Sequence, residues 1–139
     1  MYLIVGLGNP EEEYSNTRHN MGFNVINKLS EEFNIKVNKN KFKGLYGKGK
    51  IEEQDVILLK PQTYMNLSGE SIKEMGTEKF PRVRIGIGKP EHKGDLINYV
   101  IGKIPEEDKK ILEKSTDVAK DAVIEIIKNG MDKAMNLFN

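Results

Sequence analysis

Three short stretches of this 139-residue chain carry side chains able to do chemistry. The first is Gly6-Leu7-Gly8-Asn9-Pro10, which closes an apolar run from Tyr2 to Leu7. A strand followed by G-x-G suggests a dinucleotide fingerprint. The third position of that fingerprint holds Glu11, however, and a carboxylate there would repel a pyrophosphate. Pro10, Glu12 and Glu13 worsen the fit, so the stretch reads better as a tight turn at a strand end, where glycine relaxes steric limits. The second stretch is Thr17-Arg18-His19-Asn20. An imidazole can take or give a proton near neutral pH. A lone histidine at a helix start is more often a capping or packing residue, but open α/β sheets place their sites in loops beyond strand C-termini. Asn9 and His19 are therefore expected to face one crevice. The third stretch, Pro61-Gln62-Thr63-Tyr64-Met65-Asn66-Leu67-Ser68-Gly69, also follows an expected strand. Asn66 has the amide donors and the acceptor needed to hold a carbonyl oxygen or a peptide backbone, or simply to close an Asx turn. On their types alone Tyr64 and Met65 read as packing residues. Ser68 does not lie in a G-x-S-x-G elbow, so a serine nucleophile is not supported.

The elements that would position these groups are legible in the hydrophobic pattern. Tyr2 to Leu7 reads as a buried strand ended by Gly8-Asn9-Pro10. From His19 to Phe33, Met21, Phe23, Val25, Ile26, Leu29 and Phe33 recur at helical spacing, with Asn16 or Thr17 as candidate caps. Leu45 to Ile51 and Asp55 to Lys60 read as strands joined by a polar turn. Pro61 to Ser68 reads as a loop, and Gly69 to Met75 starts a short helix. Arg82 to Gly88 alternates with period two, as a strand does. From Pro105, spaced aliphatics among Lys and Glu predict one or two amphipathic helices stopped near Asn129-Gly130, with a last helical turn or two from Met131 to Phe138. Strands mixed with helices imply an α/β layer fold, and the length suits a single domain, residues 1–139.

Composition narrows the function classes. Apolar residues make up 37% of the chain, and no run approaches the roughly 20 residues needed to cross a bilayer. No basic, then apolar, leader is visible, so secretion is not expected. The absence of cysteine excludes disulfides, thiolate metal sites and a cysteine nucleophile. With only His19 and His92, a structural zinc site is not expected either. The net charge of +1 is neutral, but its distribution is not. Residues 36–50 hold six lysines and no acid. Most such runs are solvated faces; the functional alternative is contact with a polyanion, with Phe42 and Tyr46 available for stacking.

Taken together, LIVGLGNP, Tyr14, TRHN with the following Gly-Phe, TYMNLSG and RVRIGIGKP resemble the bacterial peptidyl-tRNA hydrolase family. Tyr99-Val100-Ile101-Gly102-Lys103, Glu106 and the terminal Gly130…Ala134-Met135-Asn136 fit the same family, so the likeness covers both ends of the chain. The resemblance implies a three-layer α/β fold, with a mixed central sheet flanked by helices. It implies a cytoplasmic enzyme, free of metal and cofactor, that cleaves the ester between a peptide and the 3′ ribose of tRNA. His19 is similar to the histidine that activates water, and Asn9 and Asn66 to the asparagines that place the substrate carbonyl and peptide. Tyr14 and Met65 are similar to cleft-wall residues, and Tyr64 is grouped with them as substrate-binding. Arg84 is similar to a basic position used for tRNA contact, and Lys89 is a further candidate phosphate contact. Peptidyl-tRNA is the expected partner, with no membrane partner, and the protein is expected to be a monomer.

The chain departs from the family between Met75 and Gly76. Family members are longer there by several tens of residues; both flanks match and the middle is absent. The aspartate that orients the histidine, a further site asparagine, a sheet strand and part of a helix belong to that middle. Glu74, Glu78 and Asp95 are candidate replacements for the aspartate. Two functions remain open: an active hydrolase, and a catalytically impaired homologue that still grips tRNA. A nucleotide-binding domain built on Gly6 and Gly8 is a weaker third.

Overall fold

A computed structural model describes residues 1–63, 94 and 96–139. The strands are β1 (Tyr2–Val5), β2 (Lys39–Lys41), β3 (Gly44–Ile51) and β4 (Gln54–Pro61). The helices are α1 (Met21–Phe33), α2 (Leu96–Ile101), α3 (Glu106–Asn129) and α4 (Met131–Phe138). The four strands form one mixed sheet in the order β1-β4-β3-β2. β1 runs parallel to β4 in the register Tyr2↔Val56 to Val5↔Leu59, and the other two pairings are antiparallel. Val56, Ile57, Leu58 and Leu59 are all buried, as expected of a central strand covered on both faces.

Helix α1 covers one face of this sheet. Its Val25, Ile26 and Leu29 join Ile35, Ile51, Val56 and Leu58, and Ala119 and Ile127 of α3 close the cluster from outside. Asn34 ends α1 in the left-handed region (φ 53°), its N–H donating to the Ser30 carbonyl, a common helix stop. α1 and α3 are also clamped by charge: Lys28 Nζ lies 2.8 Å from Asp117 Oδ1, and Lys120 Nζ lies 3.1 Å from Glu32 Oε1. The buried Thr116 donates its hydroxyl to the Leu112 carbonyl at 2.8 Å, so it introduces no unmet donor into the core.

The layered α/β architecture is as the hydrophobic pattern predicts, and the mixed sheet flanked by helices is as the family resemblance implies. The Pro105 pattern is one 24-residue helix. Three local expectations differ. β2 and α2 have no forecast in the hydrophobic pattern: β2 is a lysine-bearing segment exposed throughout, ordered by its ladder to β3. The start of α1 is not capped by a side chain. A 3₁₀ turn, Arg18–Asn20, leads into it, and the Thr17 hydroxyl donates back to the Tyr14 carbonyl at 2.7 Å. Gly6 serves close packing rather than turn conformation. A Cβ at Gly6 would lie 2.2 Å from the Gly22 carbonyl oxygen, and one at Gly22 would lie 2.5 Å from Leu7 N. The expected helix from Gly69 and the strand from Arg82 lie outside the described residues.

Two outcomes follow from this packing. Gly6→Ala forces backbone apart where α1 crosses the end of β1, and is expected to lower stability by about 1–3 kcal/mol in urea titrations. The hydrogen bond from Lys28 holds the Asp117 carboxyl below its ordinary pKa. Its contribution is therefore complete above about pH 4, the unfolded value, and is lost as pH falls through the lower native value. Asp117→Asn is expected to flatten that part of the acid-unfolding curve.

Candidate active site

The sheet topology brings the first two chemical stretches to one end of the molecule. β1 and β4 are parallel, so their C-termini lie together, and Gly6 N–H donates to the Leu59 carbonyl at 3.0 Å to extend the pairing. Beyond it the chain turns back on the start of α1. Asn9 N–H donates to Asn20 Oδ1 at 2.7 Å, and Asn20 Nδ2 donates to the Asn9 carbonyl at 3.0 Å. The Asn20 carboxamide thus occupies both backbone groups of Asn9, much as a neighbouring strand would. Both residues are buried, with 6% and 5% exposure. Gly8 makes this approach possible: a Cβ there would meet Asn20 Oδ1 and the Phe23 ring at 2.8 Å.

The side chain of Asn9 is fixed in turn. Its Oδ1 accepts the Glu11 N–H at 3.1 Å, an Asx-type closure. Its Nδ2 has no partner among the described residues. His19 precedes Asn20, which ties the imidazole to Asn9 through a single residue. The ring is half-buried, and the Tyr14 ring packs 5.3 Å away at 41°. Among the described residues no carboxylate pairs with His19.

Arg18, on the other side of His19, is held on the C-terminal helices. Its side chain is 2% exposed; Nη2 donates to Asp108 Oδ2 at 2.9 Å and Nη1 to the Tyr99 carbonyl at 3.3 Å. The guanidinium stacks over the Tyr99 ring at 3.8 Å. Thr17 adds an antiparallel bridge to Lys103. His19 therefore sits between two buried anchors, one tied to the end of β1 and the other to α2 and α3. At the end of β4, Lys60 Nζ donates to Asn27 Oδ1 at 3.0 Å, and partial burial lowers its pKa.

The Tyr14 and His19 rings are thus in contact, and Asn20 links the backbone of Asn9 to the segment that carries His19. Asn66, Tyr64, Met65, Arg84 and Lys89 lie outside the described residues, as do Glu74, Glu78 and Asp95. Sequence reading missed the supports: Asn20, Arg18, Tyr99 and Asp108. Asn20 and Arg18 were visible as polar neighbours of His19. Nothing local marks Asp108, which lies 90 residues from its partner.

Known proteins of one family resemble this chain in sequence and fold. A family model described as peptidyl-tRNA hydrolase matches residues 3–75 and 72–139. A peptidyl-tRNA hydrolase of Clostridium botulinum (strain Eklund 17B / Type B) is 41% identical over an alignment of 185 residues, covering 100% of this chain and 96% of the relative. One from Clostridium novyi (strain NT) is 42% identical and covers 100% and 98%. The crystal structure of peptidyl-tRNA hydrolase from Acinetobacter baumannii superposes with a TM-score of 0.91 at 31% identity, over 100% of this chain and 94% of that one. The two matched segments meet at residues 72–75, beside the Met75–Gly76 junction at which the sequence falls short of its relatives.

The supports carry measurable energy. Asn20→Ala leaves two buried backbone groups of Asn9 unmet and is expected to cost about 1–3 kcal/mol in denaturant titrations. Arg18→Met, which keeps the stem but removes the hydrogen bonds to Asp108 and the Tyr99 carbonyl, is expected to cost about 2–3 kcal/mol.

Proposed function

This chain belongs to the peptidyl-tRNA hydrolase family, and on that premise we propose that it hydrolyses the ester between a peptide and the 3′ ribose of tRNA. His19 accepts a proton from water as the oxygen attacks the ester carbonyl. The tetrahedral intermediate then collapses with cleavage of the acyl–oxygen bond. The proton passes from the imidazolium to the departing ribose oxygen, leaving a free peptide carboxylate and a tRNA hydroxyl. A positioned base contributes about 10²–10⁴ in rate. The developing oxyanion needs donors, each worth about 2.7–4 kcal/mol; Asn9 Nδ2 and the carboxamide of Asn66 take this part. Tyr14, Tyr64 and Met65 line the cleft for the peptide and terminal nucleotide, and Arg84 and Lys89 meet phosphates.

The observation that carries this reading is the Asn9–Asn20 pair. It holds the backbone of Asn9, whose Nδ2 has no partner among the described residues, against the residue that follows His19. A general base and an oxyanion donor thereby share one rigid support, the preorganisation such chemistry requires.

A second reading, an impaired tRNA-binding homologue, is favoured by one specific feature: among the described residues no carboxylate pairs with His19. An imidazole lacking its orienting carboxylate populates the wrong tautomer, which in a serine-protease triad costs about 10⁴ in rate.

Release of labelled peptide from a peptidyl-tRNA by the 139-residue protein separates the two readings. Turnover that falls by about 10²–10⁴ in His19→Ala, with tRNA affinity retained, is the expected result. Salt-dependent tRNA binding without turnover selects the second reading, and an unaffected His19→Ala variant removes His19 from the mechanism.

A further inference from the structure

The lysine run at residues 36–50 has a definite shape. Cross-strand partners share a face of the sheet, and alternate residues of a strand return to it. Lys39 pairs with Tyr46 and Lys41 with Gly44, so Lys39, Lys41, Tyr46, Lys48 and Lys50 lie on one side. The other side of β3 belongs to the core: a Cβ at Gly47 or Gly49 would strike Ile35 or Lys36. All four lysines on the open side are exposed. Lys50 pairs with Asp55 at 3.3 Å, whereas Lys39, Lys41 and Lys48 pair with no carboxylate among the described residues. Aromatic surface lies between them. Phe42 and Tyr46 meet edge to face at 5.5 Å, and Lys41 Nζ sits 5.2 Å from the centre of the Phe42 ring.

The position of this face matters as much as its charge. The turn between β2 and β3 lies at the C-terminal end of β4, where Gly44 opposes Pro61 and the Lys43 carbonyl accepts the Gln62 N–H at 2.9 Å. This is the end of the sheet from which β1 leads to Asn9. Two to three strand spacings of about 4.8 Å separate the hairpin from β1, roughly 10–14 Å. The turn at the opposite end provides an internal contrast. Phe42 and Lys43 (φ 58° and 53°) and Glu52 and Glu53 (φ 49° and 66°) adopt the same left-handed pair of conformations in two-residue turns. Backbone geometry therefore does not select lysine over glutamate. The two turns differ in charge by end, with the basic and aromatic turn beside the site and the acidic turn away from it.

We propose that the open β2–β3 face, formed by Lys39, Lys41, Lys48 and the Phe42–Tyr46 pair, is a contact surface for the RNA strand that carries the ester. The proposal rests on the function inferred above. Lysines with no carboxylate partner among the described residues exchange condensed counterions for phosphates, and the aromatic pair offers a sequence-tolerant stacking surface. An RNA strand leaving the His19 crevice along the sheet end meets this face within a few nucleotides.

The test is binding of a fluorescent, deacylated acceptor-stem RNA with an unpaired 3′ end, followed by anisotropy between 50 and 200 mM salt. The triple variant Lys39→Ala/Lys41→Ala/Lys48→Ala is expected to lower the slope of log affinity against log salt by about 2–3, near 0.7–0.9 per lost phosphate contact. Lys110→Ala/Lys114→Ala/Lys128→Ala, an equal loss of charge from exposed positions on α3, is expected to leave the slope unchanged. Phe42→Gly suits the left-handed turn and keeps the hairpin folded; it is expected to weaken binding several-fold with the slope intact. An unchanged slope in the first variant, an equal fall in the second, or no binding by the parent protein overturns the proposal. Peptide release by the parent is measured alongside. Lysine-dependent binding without hydrolysis sinks the ester-cleaving function and keeps the face, whereas hydrolysis with lysine-independent binding sinks only the face.

Discussion

The pair of hydrogen bonds between the Asn9 backbone and the Asn20 carboxamide is the constraint on which the site depends. A strand end and a helix start have no intrinsic reason to stay in register, since each leaves unpaired backbone groups. Here one side chain satisfies the donor and the acceptor of Asn9 together, at 2.7 and 3.0 Å, between two buried residues. Breaking it would leave buried polar groups unmet, so the contact is both specific and costly to lose. Its geometry is available only because Gly6, Gly8 and Gly22 leave no Cβ in the way.

The same logic extends outward from His19. Asn20 ties one flank of the histidine to the parallel strand pair. Arg18 ties the other to α2 and α3, through a carboxylate, a backbone carbonyl and an aromatic face. The backbone at His19 is thereby held between two buried neighbours. The helices at the C-terminal end of the chain thus support a residue near its beginning, and the Lys28–Asp117 and Lys120–Glu32 pairs keep α1 and α3 in the alignment this requires.

Charge adds a second level of organisation. The chain is nearly neutral overall, yet its two hairpin turns carry opposite signs at opposite ends of one sheet. Net charge reports none of this. Antiparallel pairing converts a local lysine run into a face, and the parallel β1–β4 pair decides which end of that face adjoins Asn9.

Much of the candidate site was legible in the residues themselves. His19 at a helix start and Asn9 beyond a strand suggested a shared crevice, and the hydrophobic periods of α1, β3, β4 and α3 located the elements that build it, because burial imposes those periods directly on sequence. The ordered motifs also pointed to the family and to the junction at Met75–Gly76. What tertiary structure alone decided was the support. Gly6 reads as a turn residue until the Gly22 carbonyl is seen against it, Lys39–Lys41 carries no hydrophobic alternation and becomes a strand only by pairing with β3, and Asp108 acquires its role from an arginine 90 residues away. Hydrophobic patterning records which face of an element is buried, whereas a hydrogen bond between distant segments leaves no periodic trace and exists only once the chain has closed on itself.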